Sequence, residues 1–211
     1  MCSVLAWIDR IGYTLRMTAT QMQAKKWDRD SYYRLAESGA LRPGERVELI
    51  EGVITEMSPQ NRRHARLIGR LTMGFAPRFS TTHVVRVQLP LDLGASSQPE
   101  PDFALVTLRE DEDCPLHPRC ADLLVEVADS SVAYDRNDKA SLYAKYGFPE
   151  VWIVLAQEER VEVCRHPKPD PDAPYGHSYS YRVQVGAGEA ITPLFAPTES
   201  FTIFPRSSVL G

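Results

Sequence analysis

The chain has 211 residues, of which 43% are hydrophobic and 25% charged, and its formal net charge is −4. This balance excludes a disordered chain and a uniformly basic nucleic-acid coat, although a local basic patch can still act on an acidic protein. The length suits one domain, in which roughly 70% of the unfolded surface can be buried.

The opening MCSVLAWIDRIGYTLR has no basic leader, and Asp9 and Arg10 interrupt its short apolar run, so it does not read as a signal peptide. Residues 1–20 are expected to form a weakly tied extension, 21–205 a single domain and 206–211 a tail. A helix is predicted over 28–38, capped by Asp28 or Asp30 and closed by Gly39. In RVELIEGVITEMSP, apolar β-formers flank Glu51-Gly52, the mark of a hairpin. A second helix is predicted over 60–76, ended by Pro77. HVVRVQLPLDL and PDFALVTL read as strands, followed by a loop of acids, prolines and cysteines over 109–121. DLLVEVA at 122–128 is nearly all apolar, as a strand buried on both faces must be. A helix over 135–146 stops at Gly147; EVWIVLA and ERVEVCRH then pair as a hairpin. Residues 166–177 read as a loop, and SYSYRVQV and FTIF as peripheral strands. Helices thus flank a mixed central sheet, in the α/β or α+β class. No apolar run approaches the roughly 20 residues of a membrane span. Four cysteines, at 2, 114, 120 and 164, are too sparse for a disulfide scaffold and point to a reducing, cytoplasmic setting.

Several polar residues stand where burial is expected. Glu126 sits between Val125 and Val127 in the most apolar strand, where a carboxylate needs an ion pair, a metal or a catalytic task. Asp102 precedes the apolar run Phe103–Val106; it is either a turn residue or, beside Glu126, a second carboxylate for a divalent cation. Lys139 falls within about 60° of Leu142, Tyr143 and Tyr146 on a helical wheel, whereas Lys145 points away. Its stem snorkels, or its ammonium enters the carboxylate site. His64 shares the stripe of Leu67, Ile68, Leu71 and Phe75, as a core histidine or a site residue. Arg62, Arg63, Arg66 and Arg70 occupy a separate arc, either a solvated face or a track for a phosphate backbone. Cys114, His117 and Cys120 offer zinc-binding atoms in CPLHPRC, but their spacing is not a familiar zinc pattern.

Taken in order, ELIEG, the helix with His64, Pro101-Asp102, LLVEVA, D-x-x-x-K at 135–139 and YAKYGFPEVWIV resemble the Uma family of restriction endonuclease-type proteins, within the PD-(D/E)xK nuclease superfamily. The resemblance spans about 46–165. It implies a restriction-endonuclease-like core in which Asp102 and Glu126 bind Mg²⁺ (with Mn²⁺ as a substitute) and Glu48 and His64 join the site. His64 would then hold a phosphate or orient Glu48. The superfamily lysine expected two residues after Glu126 is Ala128 here, and the resemblance to Uma-type members implies that Lys139 replaces it. The expected activity is Mg²⁺-dependent hydrolysis of DNA phosphodiester bonds. The alternative is a degenerate module that binds nucleic acid or a protein partner without cleavage. The strand with Tyr179, Tyr181, Val183 and Val185 offers an edge for a homodimer.

Overall fold

The computed structural model describes residues 24–206, Pro43 excepted. The expected extension over 1–20 lies outside the described residues, as does the expected tail apart from Arg206. Helix α1 (Arg29–Glu37) begins at Asp28, whose carboxylate accepts the Ser31 N–H at 2.7 Å. Strands β1 (Val47–Ile50) and β2 (Val53–Glu56) form the expected hairpin. Its two turn residues, Glu51 and Gly52, take φ of 48° and 81°, the left-handed pair that a two-residue hairpin turn demands. A Cβ at Gly52 would stand 2.6 Å from the Lys26 Cβ, so glycine is required there twice over.

Helix α2 (Arg62–Phe79) is capped by Asn61 and runs past Pro77 rather than ending at it. The proline falls in the last turn and forfeits one bond, to the carbonyl of solvent-exposed Met73. Phe75 and Phe79, both buried, hold that turn on the sheet. The sheet follows as β3 (His83–Val87), β4 (Phe103–Thr107), β5 (Leu123–Ala128), β6 (Glu150–Leu155), β7 (Arg160–Pro169) and β8 (His177–Val185), in that spatial order. Only β5 and β6 are parallel. Between β4 and β5 lies a short helix, α3 (Leu108–Asp113), where a loop was expected. Thr107 caps it, and Glu110 and Asp111 favour its first turn. Between β5 and β6 come α4 (Val132–Tyr134), a π-helical turn (Asp135–Lys139) and α5 (Ala140–Lys145).

Further differences have local causes. The strand expected over 83–93 stops at Val87, because Gln88 adopts φ 52°. The expected loop over 166–177 shrinks to 170–176, since β7 and β8 stay paired as far as Pro169 and His177. FTIF makes only an isolated bridge, Ile191 to Phe201. Its apolar residues cover α2 instead, with the Phe201 ring 5.1 Å from that of Phe75.

The sheet carries a core on each face, as strand alternation requires. Leu124, Ala128, Ile153 and Cys164 pack under Leu142 and Tyr143 of α5. Leu123, Val125, Val127 and Trp152 pack under Leu67, Leu71 and Phe75 of α2. Strand β8 is an outer edge, with Tyr181 and Val183 exposed. Tyr179 is buried and donates to the Phe148 carbonyl. Among the described residues no helix is long and apolar enough to cross a membrane.

Candidate active site

Alternation along β5 puts Glu126 on the α5 face with Leu124 and Ala128. The β4–β5 register pairs Phe103 with Val125. One residue further, where the ladder ends, Asp102 stands opposite Glu126. Asp102 is tightly held: its Oδ2 accepts the Val127 N–H at 2.8 Å and contacts His64 Nε2 at 3.0 Å, and its Oδ1 accepts from Gln88 Nε2 at 2.9 Å. Burial alone would raise its carboxyl pKa, but His64, Gln88 and the Val127 N–H outweigh burial and hold it below the ordinary value.

Glu126 has a different environment. It is buried, and its Oε1 accepts the Tyr143 hydroxyl at 2.5 Å and meets Lys139 Nζ at 3.3 Å. Burial pushes its pKa up to about 8, against the pull of Lys139. The same ammonium lies 3.3 Å from Glu48 Oε2, which also accepts the Glu100 N–H at 3.2 Å. Burial by itself would lower the Lys139 pKa, but Glu126, Glu48 and Asp135 raise it well above normal and keep the ammonium charged.

Lys139 reaches this point through a feature absent from the expected helix over 135–146. In the π-helical turn the Ala140 N–H bonds to the Asp135 carbonyl five residues back, so one extra residue enters the turn. Beyond it, Leu142 and Tyr143 resume the buried stripe that the wheel predicts. Lys145 pairs with Glu51 at 2.8 Å, away from Glu126.

The two carboxylates, Lys139 and the groups around them line one pocket of about 260 Å³ between the β1–β2 hairpin, the start of α2 and the 129–135 turn; Gln88, Tyr143 and Lys145 stand outside its wall. Asp102, Glu126, Lys139, Glu48 and His64, inferred from sequence, all face it. One expected contact is corrected: His64 is bonded to Asp102, not to Glu48, because α2 brings it to the end of β4. Its Nδ1 is buried without a partner among the described residues. Asp135, the first residue of the D-x-x-x-K motif, joins the same constellation. Glu100, Gln88, Tyr134 and Tyr143 belong to it too and were not singled out from sequence. Only Tyr143 carried a usable signal, four residues after Lys139 on the same helical stripe. Arg62, Arg63, Arg66 and Arg70 are exposed on α2 and line an adjoining groove. Of these, Arg63 pairs with Asp129 at 3.5 Å; among the described residues the other three make no ion pair.

The pattern of carboxylates, lysine and flanking motifs extends over most of the chain. Residues 29–181 match the Uma2 family model, described as "Putative restriction endonuclease". The chain belongs to the Uma2 family. The match takes in the whole constellation, from Glu48 to Lys139, and reaches beyond the 46–165 span of the sequence motifs. A solved structure with the same fold is described as a "putative nuclease belonging to DUF820" from Anabaena variabilis. It superposes with a TM-score of 0.60 at 17% identity, covering 80% of this chain and 94% of that one. No curated protein of described function matches the chain.

Proposed function

We propose that this Uma2 protein is a divalent-metal-dependent nuclease that hydrolyses phosphodiester bonds in DNA. One observation carries the reading: two carboxylates from neighbouring strands, Asp102 and Glu126, stand opposite each other at an open pocket with the Lys139 ammonium 3.3 Å from Glu126. The family description supports the nuclease part of this reading.

The donor set fits a hard cation. Glu48, Glu100, Asp102, Glu126 and Asp135 line the pocket, against Lys139 and Arg46 as permanent cations. Such an acid surplus repels phosphate unless a cation offsets it. Among the described residues no cluster of three or more His, Cys, Asp or Glu side chains forms a metal cage. Mg²⁺ does not need one, because it is usually held by one or two carboxylates with waters and phosphate oxygens completing the shell. Asp102 and Glu126 would hold it, and it would supply an acidified water and charge screening.

The protein's own groups then have distinct tasks. Lys139 stabilises negative charge developing on the phosphate, from a position fixed by Glu48 and Glu126. Tyr143 fixes the Glu126 carboxylate through Oε1. His64 and Gln88 fix Asp102. Glu48 balances Lys139 and would be the donor to any second cation. Arg62, Arg66 and Arg70 offer exposed charge for the DNA backbone leaving the pocket. Cleavage of supercoiled plasmid with Mg²⁺ or Mn²⁺, and its loss in EDTA, tests the reading. DNA binding without cleavage under either metal would instead identify a degenerate module, with Ala128 as its sequence mark.

A further inference from the structure

Glu162 on β7 is a buried acid outside the candidate pocket. The ladder pairs Glu126 with Ile153 and Ile153 with Glu162, so the two glutamates share one row of the sheet. Glu162 Oε2 meets Arg136 Nη2 at 2.6 Å, and Glu162 Oε1 meets Arg182 Nη1 at 3.0 Å. Arg182 Nη2 also donates to the Arg136 carbonyl at 3.3 Å. Strands β7 and β8 therefore grip both the side chain and the backbone of Arg136.

Arg136 lies in the same π-helical turn as Lys139. The turn thus rests across the row at two points, Arg136 on Glu162 and Lys139 on Glu126. A π-helical turn holds one residue more than an α-helical turn, and its hydrogen bonding is less favourable. Expelling the extra residue would shift the register by one, a rotation of about 100°. Such a rotation would carry the Lys139 side chain out of the pocket. The packed residues Leu142 and Tyr143 anchor the C-terminal side of the turn, and the arginine–glutamate cluster anchors the other. A buried carboxylate persists only when it is well paired, which gives the cluster a fixed geometry.

We infer that Glu162 is a positioning residue: the Arg136–Glu162–Arg182 cluster fixes the π-helical turn in the register that aims Lys139 at Glu126 and Glu48. The activity part of its test rests on the nuclease reading above; the exchange part does not.

The test compares the full-length wild type with Glu162→Gln and Arg136→Met by hydrogen exchange and by metal-dependent plasmid cleavage. Amides of 132–145 should exchange faster in both variants, with those of 123–128 as protected as in the wild type. The kcat should fall by about 10²-fold with KM unchanged, the cost of misplacing a reacting group by about 1 Å. In a Lys139→Met background, adding Glu162→Gln should cause no further loss, whereas a merely structural role would subtract again. Wild-type protection over 132–145 in both variants would overturn the inference, as would a full second loss in the Lys139→Met background. A wild type that fails to cleave would remove the nuclease reading and leave the exchange result to decide. If Glu162→Gln fails to fold, Arg136→Met decides, because it breaks the same link from a partly exposed side.

Discussion

Replacing Lys139 by methionine removes one charge and keeps most of the buried stem. The ammonium lies 3.3 Å from both Glu48 and Glu126, and all three side chains are 5% exposed or less. Removing one partner of a buried ion pair costs about 3–5 kcal/mol, because the remaining charge is left unpaired. Glu126, whose pKa burial already raises to about 8, can take up a proton when the cation is lost, so the lower end of that range applies. In a domain of this size each kcal/mol moves Tm by about 2–4 °C, which predicts a fall of about 6–12 °C for Lys139→Met. Adding Glu48→Gln should recover part of the loss, since it removes the other acid that loses its cation. Differential scanning calorimetry in EDTA measures both effects. Plasmid cleavage by Lys139→Met should fall about 10²–10³-fold, the usual loss for a transition-state contact of this kind. Lys145→Ala should melt within about 1 kcal/mol of the wild type and cleave normally, because its partner Glu51 lies near the surface. A Lys139→Met protein that melts and cleaves as the wild type does would refute the reasoning, and the lysine would be a packing stem only.

If Asp102 and Glu126 share a cation, Asp102→Asn and Glu126→Gln should each abolish the heat of Mg²⁺ binding in calorimetry; undiminished binding in both removes the assignment. Replacing Arg62, Arg66 and Arg70 together by alanine should weaken DNA binding and lower its log–log salt slope by about 3, and an unchanged slope would mean that this face never meets phosphate. Asp92 bears on acid stability. Burial alone would raise its carboxyl pKa, but Arg119, the Gly94 N–H and Arg29 outweigh burial and hold it below the ordinary 3.8. A depressed carboxyl contributes stability that is full above about pH 4 and drains as pH falls through its lower folded value. Asp92→Asn should therefore lower Tm at neutral pH and flatten the acid limb of a Tm–pH curve, and an unchanged acid limb would refute this.

The buried strands were legible because their residues are apolar but for one glutamate each, as in β5 and β6. The site was legible for the opposite reason: Glu126 and Lys139 are charged where the pattern demands apolar residues. What stayed hidden depends on contacts rather than on local pattern. Nothing in DRNDKASLYAKY distinguishes a π-helical turn from an α-helical one, since the choice is made by Glu162 and Arg182 far along the chain. FTIF has the composition of a strand, and only the exposed flank of α2 turns it into a cover. Pro77 reads as a stop, and it is overruled by the burial of Phe79. His64 was placed near the site by its helical face, but its bond to Asp102 depends on where α2 begins relative to the end of β4.

The strand order has a consequence for how the chain assembles. Each strand of the six-stranded sheet lies beside its neighbour in sequence, and a single crossover, between β5 and β6, interrupts the run of antiparallel pairs. Such a sheet can grow by short-range pairing, which keeps loop-closure costs low. The acidic cluster cannot form that way. Glu48 comes from a separate hairpin and meets Tyr134 across 86 residues of chain. Its partners Lys139 and Tyr134 lie on the segment between β5 and β6, so the hairpin must dock on that segment to complete the cluster. A chain with a finished sheet but an undocked hairpin would therefore have native strands and no assembled centre, so any hydrolytic capacity would arrive with the last long-range closure.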